Sequence, residues 1–443
     1  MKIKLSDHFT YSKLLRFVFP SIIMMVFTSI YGVVDGLFVS NFAGKTAFAS
    51  INLVMPFVMI LGGIGFMIGT GGTALVSKVL GEGKKEKANK IFTMMIIFTL
   101  LLGALLSVIG VISMPWVSKF LGATEEMMAD CVLYGRIVTG FTVAFMLQNV
   151  FQSFLIAAEK PKLGLLATVL AGIANMALDA IFIIVFKWGV AGAAIATGLS
   201  QCVGGIFPLI YFSRKNSSLL RLTKTKLEIK PILNACGNGS SELMSNISSS
   251  VVSMIYNFQL MKYVGEDGVS AYGVLMYVQF IFVAIYIGYA IGCAPITGYH
   301  FGARNHNELK NMLRKSSFLS AVSGVVLTIL AIALSSPLAK LFVGYDEELY
   351  ELTRHAFRLF AYSFLLAGFN IFTSSFFTAL NNGAVSAVIS FMRTLIFQTS
   401  SVLILPIFLG VDGIWWAITV AEFFAFILSL IFLFAKRKKY NYI

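Results

Sequence analysis

Apolar runs bounded by glycine, proline or charge recur along the whole chain. Most reach the roughly 20 apolar residues that a membrane-crossing helix needs. They predict twelve helices, at 14–40, 47–78, 91–113, 130–157, 162–186, 190–212, 232–261, 268–299, 311–335, 350–378, 383–408 and 411–435. Several exceed the thickness of a bilayer, so they tilt or project beyond the lipid. The first run follows Lys2, Lys4, Lys13 and Arg16 and continues to Ser40 with no small-x-small cleavage site, so it reads as a retained span. The expected fold class is an all-α polytopic membrane protein.

Composition agrees. Of 443 residues, 58% are hydrophobic and 12% charged, against ~45–50% and ~25% in soluble domains. A soluble enzyme and a disordered scaffold are both excluded. The net charge of +14 would raise the question of nucleic acid on a soluble protein. Here the cations cluster between apolar runs, so the partner they imply is the bilayer, and no nucleic acid is expected. The clusters are the N-terminus, Lys78 to Lys90, Lys160 with Lys162, Arg214 to Lys230, Arg304 to Lys315, and Lys436 to Lys439. The intervening loops carry mostly single lysines, among them Lys119 and Lys187, together with acids such as Glu125, Glu126, Glu347 and Glu348. The positive-inside rule then places both termini in the cytoplasm of a plasma (inner) membrane protein, and the even span count agrees.

The two halves match at a constant offset of 221 without gaps. Gly44 pairs with Gly265, Met55 with Met276, Gly71 with Gly292, and Gly81 with Gly302. Asn149 to Ser153 pairs with Asn370 to Ser374, and Gly189 and Gly192 pair with Gly410 and Gly413. The reading is an N-lobe over 1–213, a basic cytoplasmic linker over 214–231 and a C-lobe over 232–443. Six spans per repeat give both halves the same sense, so a pseudo-two-fold axis runs along the membrane normal. Parallel repeats of this kind belong to transporters, with the substrate path between the halves.

Ionisable groups within a span are costly unless paired or wet, and they mark function by default. Asp35 lies 19 residues past Arg16, about 28 Å at ~1.5 Å per residue. Asp179 lies 17 past Lys162, about 25 Å, so both fall in the outer half. Asn175 and Asp179 share a helix face at i and i+4. Thr197, descending on helix 6, and Tyr134, starting helix 4, reach the same layer. Two neighbouring carboxylates in low dielectric share a proton or bind a cation, and oxygen ligands suit H⁺ or a hard ion such as Na⁺. The second half has Tyr256 and Ser400 at the matching positions, which places the coupling ion in the first half. Glu242, Arg393 and Glu422 fall near mid-depth of the second half. Arg393 pairs with Glu242 or Glu422, or else Glu242 is a free carboxylate that meets a cationic substrate. Pro20 precedes Asp35 by fifteen residues and permits a bend in helix 1. Glycines 62, 63, 65, 69, 71 and 72 crowd helix 2 and allow close helix approach.

Other chemistry is not signalled. The four cysteines and four histidines have no metal-ligand spacing. Gly44-Lys45-Thr46 resembles the end of a phosphate loop, but Val39 stands where the first glycine is required. No cofactor, no ATP site and no catalytic constellation is expected, which leaves an ion gradient as the driving force.

With Pro20 and Asp35 on helix 1, Asn175 and Asp179 on helix 5, Tyr134 and Thr197, the chain resembles the multidrug and toxic compound extrusion (MATE) family over nearly its whole length. The resemblance implies a functional monomer that exports cationic, amphipathic drugs in exchange for H⁺ or Na⁺ by alternating access of two lobes, with those residues forming the N-lobe cation site. Some members carry a further acid on helix 10. The buried part of that helix here, Leu359 to Thr378, has none, so coupling through the N-lobe is preferred. The alternative is a flippase for lipid-linked sugars, which would need cations lining the cavity; an intramembrane enzyme is the remaining class.

Overall fold

The computed structural model describes residues 3–442, so Lys2 of the basic N-terminus lies outside the described residues, as does the side chain of Lys45. Twelve membrane helices are present among them. They are α1 (Tyr11–Phe42), α2 (Lys45–Gly81), α3 (Lys85–Phe120), α4 (Glu125–Gly140 continued by Thr142–Ala157), α5 (Pro161–Asp179 continued by a π-helical turn, Ala180–Val185) and α6 (Gly189–Ser213). After a segment without regular structure come α7 (Ile229–Tyr263), α8 (Glu266–Gly302), α9 (His306–Val343), α10 (Glu347–Ala361 with Phe364–Ala379), α11 (Gly383–Phe391, a π-helical turn Met392–Phe397, and Gln398–Leu409) and α12 (Val411–Tyr440). Most helices run a few residues beyond the apolar runs, and in some of them a capped polar turn makes the extension. Thr10 caps α1 and Asp346 caps α10 in this way.

Two helices bend sharply where the runs predict straight rods. α4 bends by 54° and α10 by 49°. In α4 the break falls at Phe141, beside Gly140, where the Thr142 hydroxyl donates to the Thr139 carbonyl at 2.7 Å. A hydroxyl competing for a backbone carbonyl bends a helix. In α10 the break falls at Tyr362 and Ser363, and Thr328 of α9 donates to the Ala361 carbonyl at 3.3 Å. Phe141 and Tyr362 are 221 apart, so the two bends are one feature repeated. The backbone of the turns repeats as well. Gly44 and Gly265 have φ of 101° and 92°, Gly83 and Arg304 76° and 55°, and Gly189 and Gly410 55° and 59°.

Among the described residues, eleven helices are long and apolar enough to cross a bilayer, the two bent pairs counted as one span each. The exception is α7, rich in serine and asparagine. Several of its hydroxyls bond within the helix: Ser245 donates to the Ser241 carbonyl, Ser249 to that of Ser245, and Ser250 to that of Asn246. Asn238 reaches the Thr378 carbonyl of α10 at 2.8 Å. Part of its polar character is therefore met by its own backbone and part by a neighbouring helix.

The halves meet along α1, α2, α7 and α8. Two reciprocal glycine contacts make the meeting tight on the face that carries both termini. A Cβ on Gly71 would lie 1.9 Å from the Ala235 carbonyl oxygen, and one on Gly239 would lie 1.9 Å from that of Met67. A Cβ on Gly81 would meet the Tyr299 oxygen at 1.9 Å, and one on Gly302 the Lys78 oxygen at 1.9 Å. The crowding of glycines on helix 2 thus serves backbone contact between halves. A valine at position 71 has to push α7 away. Labelling of Ala235→Cys, a fully buried position, by a water-soluble maleimide is expected to rise several-fold in a Gly71→Val background. Unchanged labelling would mean that the contact adapts without opening.

The N-terminal residues before α1 form a strap across the same face. Leu5 and Phe9 are fully buried. The Leu5 N–H donates to Glu159 Oε1 at 2.7 Å in the first half, and the Phe9 N–H to Glu308 Oε1 at 3.0 Å in the second. Glu308 also holds His8 at 2.7 Å, and Asn311 donates to the Phe9 carbonyl at 3.0 Å. Hydrogen bonds to a charged group contribute about 1.5–3 kcal/mol. In a Glu308→Ala variant, amide exchange at Phe9 is expected to speed up about tenfold or more by hydrogen–deuterium exchange, while that of Leu147 in α4 stays unchanged.

Candidate functional site

α1 and α5 cross with very little between them. A Cβ on Gly172 of α5 would fall 2.4 Å from the Phe27 ring and 3.0 Å from that of Tyr31, both on α1. The missing side chain lets two polar faces meet one turn further along. Tyr31 and Asp35 lie at i and i+4 on α1, and Asn175 and Asp179 have the same spacing on α5. Asp35 is half-buried, whereas Asn175 and Asp179 are buried. Asp35 faces both of them. From α4, Tyr134, 1% exposed, lies beside both acids and faces Thr197 of α6. All five polar residues anticipated for this layer are therefore brought together.

Two further residues join them. Tyr31 stands between Asp35 and Gln148 of α4. Tyr31 was accessible to sequence reasoning, being one turn from Asp35 on the same face. Gln148 gave only a weak signal, as one of several amides in α4.

The oxygens of the cluster are the telling atoms. Among the described residues, Asp35 Oδ1, both carboxylate oxygens of Asp179, Asn175 Oδ1 and Thr197 Oγ1 are buried with no hydrogen-bond partner. The two carboxylates approach each other, but neither has a proton to donate when both are ionised. Buried acceptors without donors are costly. One proton shared between the acids removes that cost, and so does a small cation with an all-oxygen shell. The chain also leaves α-helical geometry directly after Asp179, where the π turn Ala180–Val185 begins. Such turns are frequent at functional sites. Among the described residues, no group of three or more His, Cys, Asp or Glu is placed to hold a metal ion.

Pro20 is buried, and α1 runs through it without a break. Proline has no N–H, so the carbonyl four residues earlier, Arg16, is left without its helical donor.

In the second half, Arg393 sits in the other π turn, Met392–Phe397, and its partner is Glu422 of α12. Arg393 Nη2 lies 2.7 Å from Glu422 Oε1, and Nε donates to both carboxylate oxygens at 2.8 and 3.0 Å. Asn370 of α10 donates to Glu422 Oε2 at 2.7 Å and to its backbone carbonyl at 3.0 Å. Ser429 then donates to Asn370 Oδ1 at 3.3 Å. Glu242 of α7 is half-buried and makes no ion pair among the described residues. The charge that acts on it is Arg393, already committed to Glu422. At the position matching Asp35, Tyr256 stacks on Tyr272 with ring centroids 5.0 Å apart and planes within 6°, so packing replaces charge there.

Comparison with known proteins matches this architecture. The chain is 23% identical over 435 residues to the multidrug export protein MepA of Staphylococcus haemolyticus (strain JCSC1435), covering 97% of this chain and 94% of that one. It is 23% identical over 437 residues to MepA of Staphylococcus aureus (strain MSSA476), with the same coverage. Among solved structures, it superposes with a TM-score of 0.93 on the outward-facing conformation of a multidrug resistance MATE family transporter of the MOP superfamily, at 22% identity and 98% coverage of both chains. It superposes with a TM-score of 0.91 on a MATE in complex with MaL6, at 23% identity, covering 97% of this chain and 98% of that one. The MatE family model matches twice, at residues 20–181 and 243–401, two copies about 220 residues apart, as the internal repeat requires. The chain belongs to the MATE family of multi-pass membrane transporters.

Proposed function

We propose that this protein is a secondary antiporter that exports cationic amphipathic compounds across the plasma membrane in exchange for H⁺ or Na⁺. The observation that carries the reading is the cluster of buried oxygens without donors around Asp35 and Asp179. With the ion absent, the carboxylates repel and the helices that carry them separate. With a proton or Na⁺ between them, they close. The two occupancies therefore favour different arrangements of α1 against α5, and α1 also packs on α8 of the other half. Pro20 is the position at which α1 flexes. The basic clusters put both termini and the 214–231 linker in the cytoplasm, so the tight glycine contacts close the cytoplasmic side. The 1–213 and 232–443 lobes rock about that contact, and each molecule acts as a monomer.

Two observations support the substrate class. The MepA relatives are multidrug export proteins. Glu242 supplies an unpaired carboxylate in the second half, suited to a cation. A flippase for lipid-linked sugars would need cations free to hold pyrophosphate, and Arg393 is neutralised by Glu422. The deciding experiment is efflux of a fluorescent cation from vesicles under an imposed ΔpH or an imposed ΔNa⁺, with wild type and Asp35→Asn in parallel. Export driven by neither gradient would overturn the antiport reading. Equal export by both proteins would remove Asp35 from it.

A further inference from the structure

Beside the foot of α1 the surface holds a groove of about 960 Å³. Its walls are Leu15, Phe19 and Pro20 of α1 and Leu163 and Leu166 of α5. Leu15, Phe19 and Leu166 are 42%, 59% and 48% exposed. On spanning helices such exposure faces acyl chains. Arg16, Lys160 and Lys162 stand at the rim, on the face that carries the termini. Glu159, the one acid lining it among the described residues, accepts from the Leu5 N–H. Lys160 donates to Ser217 Oγ at 2.9 Å. Arg16 and Lys162 are exposed and make no ion pair among the described residues.

An apolar slot at membrane depth with cations at its interfacial end complements an amphiphile with an anionic head. A cationic amphiphile would meet three like charges at the rim. A small soluble anion would leave the apolar walls empty. We propose that this groove binds an anionic phospholipid, with the headgroup phosphate on Arg16 and Lys162 and an acyl chain between α1 and α5. The location gives the occupant leverage. The same two helices carry Asp35 and Asp179 toward their other ends, and Pro20 lies in the groove wall. A lipid touching both feet sets the angle between the helices. The binding itself does not depend on the transport reading.

The test uses the purified full-length protein, with native mass spectrometry to count retained phosphatidylglycerol against phosphatidylcholine. The expected result is preferential retention of one phosphatidylglycerol. Arg16→Gln and Lys162→Gln are expected to weaken it about fivefold for each cation removed, with phosphatidylcholine unaffected. Leu166→Trp, which fills the slot, is expected to weaken both lipids. Lys84→Gln with Lys87→Gln, which removes the same charge elsewhere on that face, is expected to leave retention unchanged. Equal retention of the two lipids would overturn the proposal. So would an equal loss in the Lys84 and Lys87 variant, which marks diffuse adsorption. Displacement by millimolar inorganic phosphate would also overturn it, marking a site for the head alone.

Discussion

Asp35→Asn is expected to reduce gradient-driven export to background while the protein remains folded and at normal abundance in the membrane. The substitution keeps the size of the side chain and removes its titration. The introduced carboxamide also brings an N–H that can donate to Asp179, whose two oxygens have no donor among the described residues. The pair then resembles its ion-loaded form permanently, and the cycle stalls there. One elementary charge moving through ~100 mV carries ~2.3 kcal/mol, and a site that cannot release its ion cannot draw on that energy. Asp179→Asn is expected to stall export in the same way. Asp179→Ala is expected to fail differently, because it leaves Asp35 with no acidic neighbour and the layer with an unfilled space. Vesicle efflux with matched protein amounts checks all three. Wild-type rates in Asp35→Asn would remove the acid pair from the mechanism.

The largest effect on stability is expected at Arg393. Arg393→Met removes the cation that, among the described residues, is bonded to Glu422, whose side chain is 2% exposed. Removing one partner of a buried ion pair costs about 3–5 kcal/mol, whereas replacing both by apolar groups is often neutral. The single variant is therefore expected to lose several degrees of thermal stability in detergent and to aggregate on size exclusion. Arg393→Met with Glu422→Met is expected to regain most of that loss. Asn370 keeps its bond to the Glu422 backbone carbonyl in both variants, so α10 and α12 stay joined. A double variant as unstable as the single would mean that Glu422 contributes through Asn370 rather than through Arg393.

What the chain disclosed about itself follows from what is local. Most of the membrane helices were legible because each is a contiguous apolar run, and α7 stood out less because serine and asparagine interrupt it. Asp35 and Asp179 were legible because a lone acid in such a run is rare, and rise per residue placed both at one depth. Azimuth was not available in the same way. The choice of Glu422 over Glu242 for Arg393 depends on how α11 and α12 are rotated, and depth alone left both open. The bends in α4 and α10 depend on hydroxyl-to-carbonyl bonds, one of them from the neighbouring helix α9. The strap before α1 has too few residues for any periodicity, and its anchors, Glu159 and Glu308, are about 150 and 300 residues away.

The polar character of α7 bears on how the molecule is made. Emerging from the ribosome, Ile229–Tyr263 gains too little from partitioning into hydrocarbon to stay there unaided. Asn238 finds its partner, the Thr378 carbonyl, only once α10 has been synthesised. The translocation machinery must hold this stretch at the protein-lined margin of its channel, releasing it as a hairpin with the far more apolar segment that follows. The second repeat thus enters the membrane from its least greasy end, and its assembly is cooperative from the first step.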